Sequence, residues 1–116
     1  MSNELSIYDK QLSLQLAGGN ADLASQMLSM FLKDLPKLRQ QANDALAKGD
    51  NESLFQHVHK VNGATRYCGV PAIEHAANSL ELLIRGNSDE MENSLESALS
   101  TLNTEIDKLI NLMGSQ

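Results

Sequence analysis

Tryptophan is absent, and phenylalanine and tyrosine supply two residues each, so aromatics make up only 3% of the 116 residues. A core must therefore be built from Leu, Ile, Val, Met and Ala, which suits packed helices better than a sandwich of aromatic-rich strands. There is one cysteine. It excludes an internal disulfide and makes a reducing, cytoplasmic setting the default expectation. Basic residues are scarce, nine against fifteen acidic ones, for a net charge of −6 and a pI of about 4.9. This balance argues against binding a nucleic-acid backbone or an anionic membrane through bulk charge. No apolar run approaches membrane-spanning length, and Met1-Ser2-Asn3-Glu4 lacks the basic and apolar regions of a signal peptide. Only two prolines interrupt the chain. The length is expected to hold a single domain with one core, residues 1–116 with frayed ends and a core over about 9–113.

What is present is helical periodicity. Residues 1–8 read as a loose lead-in. Asp9 is placed to cap a short helix through about Ala17, stopped by Gly18-Gly19. Asn20 caps the next segment, with Asp22 in its first turn where the helix dipole favours an anion. Leu23, Met27, Met30, Phe31, Leu35, Leu38, Ala42, Ala45 and Leu46 then recur at three- and four-residue steps to about Lys48. Pro36 lies inside this stripe. Because the stripe stays in register, the expectation is a bent helix, the alternative being two helices meeting at Pro36.

Asp50 opens a third helix with apolar positions Leu54, Val58, Val61, Thr65 and Cys68, ended by Gly69. Pro71 starts a fourth, with Ile73, Ala76, Ala77, Leu80, Leu83 and Ile84 as its apolar face. Asn87-Ser88-Asp89-Glu90 caps a fifth, in which Met91, Leu95, Leu99, Leu102, Ile106, Leu109 and Met113 form the cleanest pattern in the chain. Short Gly/Asn/Asp/Pro connections imply antiparallel neighbours. The expected fold is all-α: an up-down-up-down four-helix bundle with a short additional N-terminal helix.

The chemistry-bearing residues concentrate in the third helix and the turn after it, which hold His57, His59, Tyr67 and Cys68. At about 100° per residue, Leu54, Val58, Val61, Thr65 and Cys68 span roughly an 80° arc. His59 falls about 140° from the arc's centre and His57 only about 55° from it. The two rings point in different directions and cannot chelate one metal without distorting the helix. His57 reads as a boundary side chain and His75 as part of a polar face. His59 differs because Gly63 lies one turn on. A glycine inside a helix costs about 0.5–1 kcal/mol relative to alanine, and open space above the His59 ring would offset that. The competing explanation, close helix packing at Gly63, is weakened by its position away from the apolar arc. A neutral, solvent-facing imidazole is a competent nucleophile towards phosphorus. Lys60 and Arg66 flank it, although a charged helix rim is usually only a solvated face.

Other chemistries find little support. There is no glycine-rich phosphate loop, no Cys/His cluster at metal spacing and no G-x-S-x-G elbow. Cys68 sits on the apolar arc and reads as core.

His59-Lys60-Val61-Asn62-Gly63-Ala64, followed by Gly69, resembles the signature of histidine-containing phosphotransfer (HPt) domains. That signature is a histidine, a lysine three on, a glycine four on with a small residue after it, and a glycine ten on. His59, Gly63, Ala64 and Gly69 match, and Asn62 stands where the signature has lysine. The likeness runs from about Asp9 to Leu112 and takes in Phe31-Leu32, Leu35-Pro36 and Leu80-Glu81. The Gly69-Val70-Pro71 run is similar to the C-terminal HPt domains of BarA/GacS-type hybrid sensor kinases.

The resemblance implies a carrier in a multistep phosphorelay. His59 would be the phosphorylated nucleophile, with Lys60, Asn62, Gly63 and Arg66 supporting the phosphoryl group and Phe55 and Tyr67 contacting a receiver domain. It implies no cofactor in this chain, with Mg²⁺ on the partner receiver, no ATP site, no bound metal and a monomer, either alone or within a membrane-anchored sensor kinase. Two rivals are a non-catalytic adaptor that docks a receiver without efficient transfer, and a histidine-based enzyme or metal-binding bundle.

Overall fold

In the computed structural model the described residues are 5–86 and 91–114, with backbone alone for 91–93. They form five helices: α1 (Lys10–Leu16), α2 (Ala21–Ala47), α3 (Asn51–Thr65), α4 (Pro71–Gly86) and α5 (Met91–Gly114). No strand occurs among them. Helix α2 packs on α3, α3 on α4 and α4 on α5, and α5 returns to α2, closing an antiparallel four-helix bundle; α1 lies against α2.

Each described N-terminal cap follows from its sequence. Asp9, Asn20 and Asp50 accept hydrogen bonds from the backbone N–H groups of Leu12, Leu23 and Ser53, supplying partners that the first helical turn lacks. Asp50 also accepts from the Ser53 hydroxyl at 2.8 Å. The Ser53 backbone and hydroxyl bonds hold its carboxyl below its ordinary value. The cap expected at Asn87–Glu90 lies outside the described residues.

Helix α2 runs unbroken through Pro36, as the in-register stripe leads one to expect, and the alternative of two helices meeting there does not hold. Leu35, next to the proline, is fully buried, and that packing holds the segment helical despite a lost backbone bond.

The core joins Leu35, Leu54, Val58, Val61, Ile73, Ala77, Leu80, Ile106 and Leu109 into one cluster. Burying each leucine or isoleucine contributes about 1.5–3 kcal/mol against chain entropy. The α3 arc is buried throughout, from Leu54 and Val58 to Cys68.

Four expectations need correction. Met30 is 66% exposed and Leu23 is exposed too, while Ala24 and Leu28 turn inward, so the buried face of α2 is rotated from the stripe. In α4, Leu83 is exposed and Glu81 is buried. The two lie on opposite edges of the apolar arc, and Glu81 is the one that finds polar partners. Helix α3 ends at Thr65 rather than Gly69. Tighter turn bonds follow, from the N–H groups of Arg66, Tyr67 and Cys68 to the carbonyls of Gly63, Ala64 and Thr65. Finally, the described part of the lead-in is docked. Ser6 O accepts from Ala72 N at 3.1 Å, and Ile7 and Tyr8 pack on the core.

Candidate functional site

Burial of the α3 arc fixes the rotation of the helix, and that rotation turns His59 out. Its side chain is 66% exposed. The ring is nevertheless held. Nδ1 lies 2.5 Å from Oε1 of Glu81 on α4. A carboxylate only accepts, so Nδ1 carries a proton and donates it, and in the neutral ring Nε2 is then the nitrogen with the free lone pair. The other Glu81 oxygen, Oε2, accepts from Asn62 Nδ2 at 2.9 Å. Phe55, one turn before His59, stacks on its ring with centroids 5.6 Å apart and planes 15° from parallel. The Arg85 guanidinium lies over the Phe55 ring at 5.4 Å, within cation–π range.

The residues singled out in the sequence thus separate. His59 and Gly63 share the exposed side, and a Cβ added at Gly63 would meet nothing within 4 Å. Space, and not tight packing, accompanies this glycine. Lys60 and Tyr67 border a groove of about 550 Å³ between α2 and α3, lined also by Met27, Met30, Phe31 and Asp34. Arg66 lies on the other flank, around a hollow of about 410 Å³ shared with Glu74, His75 and Asn78. The two cations therefore bracket α3 rather than cluster.

Asn62 is only 4% exposed; its amide nitrogen is bonded to Glu81, and the residue lines the floor of the hollow beside Arg66. Phe55 is half-buried and packs against the His59 ring. Tyr67 is 56% exposed. His57 is half-buried with its Nδ1 turned inward, without a hydrogen-bond partner. His75 is exposed. Burial pushes the Cys68 thiol up to about 11, so it is held as the unreactive thiol. Among the described residues no group of three His, Cys, Asp or Glu side chains is gathered to hold a metal ion, and no helix is long and apolar enough to cross a membrane.

Glu81 is the residue that sequence reasoning missed. Its signal was present: it follows Leu80 and lies four residues after Ala77, on the edge of the apolar arc of α4. A carboxylate there must find partners.

Chemically, an exposed imidazole with a proton held on one nitrogen and open space beside it can act as a nucleophile towards an electrophile brought to the surface.

The chain is 38% identical over 102 residues to the sensor protein GacS of Pseudomonas syringae pv. syringae, covering 85% of this chain and 11% of that protein. It is 43% identical over 82 residues to the sensor histidine kinase GacS of Pseudomonas protegens, covering 71% and 9%. It is 35% identical over 107 residues to the signal transduction histidine-protein kinase BarA of Escherichia coli, covering 92% and 11%. The chain thus spans about a tenth of the length of these relatives. A crystal structure of the HPT domain from a Shewanella sensor hybrid histidine kinase superposes with a TM-score of 0.68 at 23% identity, covering 91% of this chain and 95% of that one; it supports the fold. The family profile of the Hpt domain matches residues 26–112, a span that contains His59, Glu81 and the four bundle helices almost whole, and the chain belongs to the Hpt domain family.

Proposed function

We propose that this chain is a phosphohistidine carrier that accepts a phosphoryl group on His59 from a receiver-domain aspartate and passes it to the aspartate of a response regulator. The observation that carries the reading is an exposed His59 whose Nδ1 proton is held by Glu81 beside the open space at Gly63.

In the transfer, the Nε2 lone pair attacks phosphorus in line as the bond from phosphorus to the aspartyl oxygen breaks, and that electron pair returns to the aspartate. No proton has to leave the ring first. Positive charge grows on the imidazole as the N–P bond forms, and the Glu81 carboxylate offsets it. The reverse sequence delivers the group to the second receiver. The bundle supplies position, while Mg²⁺ and the acidic pocket are expected on the receiver.

The carrier is expected to act as a monomer within a hybrid kinase relay in the cytoplasm, with Tyr67 and the α2–α3 groove meeting the receiver and Lys60 and Arg66 at the rim. Phe55 serves the site by orienting the His59 ring. The rival reading, an adaptor that docks a receiver without efficient transfer, draws on Asn62 standing in place of lysine.

Incubation with a phosphorylated receiver separates the two. Acid-labile label on the wild type and none on His59→Gln, with both folded, is the expected result. Absence of label on the wild type, with receiver binding intact, would establish the adaptor instead.

A further inference from the structure

We propose that Asn62 is a positioning residue that acts through Glu81: its side-chain amide holds the carboxylate aimed at His59 Nδ1, so that Nε2 is the ring nitrogen left basic. The significance of that nitrogen rests on the phosphocarrier reading, but the positioning itself does not.

A glutamate carboxylate has little torsional preference of its own, because its terminal torsion is broad and two-fold. Aim must come from partners on both oxygens. Here Oε1 faces His59 Nδ1 at 2.5 Å and Oε2 accepts from Asn62 Nδ2 at 2.9 Å. Glu81 is 9% exposed and Asn62 is 4% exposed, so water competes weakly for either group. The amide orientation follows from the partner, since turning Asn62 Oδ1 towards a carboxylate would set acceptor against acceptor. The Asn62 backbone is itself tied, its carbonyl accepting from the buried Thr65 hydroxyl at 2.5 Å. The result is a three-residue line across the α3–α4 interface, from a buried amide through a buried carboxylate to an exposed imidazole. A side chain that stands where the family signature has a cation is thus turned to orienting the nucleophile from beneath.

The test combines ring-nitrogen NMR with transfer kinetics. The His59 tautomer is read from long-range ¹H–¹⁵N spectra of the histidine-labelled chain, and kcat and KM from transfer out of a phosphorylated receiver. Asn62→Leu removes the donor and excludes a replacing water. Asn62→Ala removes it without added bulk in a residue that favours helix, so the test does not hinge on leucine fitting.

The wild type is expected to hold the Nδ1–H tautomer. Both variants are expected to shift towards a mixture and to lower kcat about tenfold at unchanged KM. Adding Asn62→Leu to Glu81→Gln should cause no further loss. An unchanged tautomer in the folded Asn62 variants would overturn the proposal, as would an equal loss from Asn62→Leu in the Glu81→Gln background. A wild type that takes up no phosphate while its tautomer responds to Asn62→Leu would end the carrier reading and support the positioning role.

Discussion

Gly63 stands one turn beyond His59 with nothing within 4 Å of where its Cβ would be. Gly63→Ala should therefore raise stability by about 0.5–1 kcal/mol, the usual gain when a helical glycine becomes alanine. It should also slow phosphotransfer, because the added methyl enters the space a receiver must occupy. Paired denaturant melts and transfer rates check this; a variant both more stable and equally fast would show that the space is not used.

Cys68 gives a prediction of the opposite kind, a group kept from reacting. It is 2% exposed, and burial raises its thiol from 9.0 to about 11. In the native chain at pH 8 a thiol reagent should label it only at the rate of local opening, and fast labelling of the folded protein would contradict its burial. The sign of the linkage follows. An acid raised in the folded state favours folding while protonated, so its contribution is whole below pH 9 and is lost as pH climbs from 9 towards 11.

At the scale of elements, Gly69 fastens α1 to the bundle. Its φ is +66°, and an added Cβ would come within 2.7 Å of Asp9 O and Ser13 N, backbone atoms that cannot turn aside. The Gly69 carbonyl also accepts from Asp9 N at 2.8 Å. Gly49 has a similar φ of +70° but nothing within 4 Å. Gly49→Ala should cost only the left-handed strain, about 1–2 kcal/mol, and Gly69→Ala distinctly more, as read by chemical denaturation. Equal losses would mean that the α1 contact carries no weight.

Helices with unbroken periodicity were legible because burial of one face is set locally. The α3 arc and the Leu95, Leu99, Leu102, Ile106 and Leu109 series are buried as the pattern requires. Contacts between distant segments were not legible. The docking of Ser6 on Ala72 uses backbone groups, which leave no mark in residue type, and Gly69 marks a special backbone position without naming Asp9 as what it meets.

For the whole molecule, the bundle brings α3 and α4 together so that a histidine on one helix meets a glutamate on the next. The choice of His59 over His57 was legible from helical phase alone. The pairing of Glu81 with an inward-turned Asn62 was not, because each depends on the other: an amide and a carboxylate are buried only where the packing sets them face to face. The α2–α5 side closes the bundle through the Arg39–Asp107 ion pair and the Asn103–Asn43 hydrogen bond, 2.9 Å long, and it leaves the His59 side clear. In the proposed relay the phosphoryl group is carried on Nε2 of His59 while Nδ1 keeps its proton. NMR of the histidine-labelled chain after incubation with a phosphorylated receiver tests this assignment. The expected result is ¹⁵N–³¹P coupling at His59 Nε2 alone, with a proton on Nδ1 facing Glu81. Coupling at Nδ1, or at His57 or His75, would contradict it.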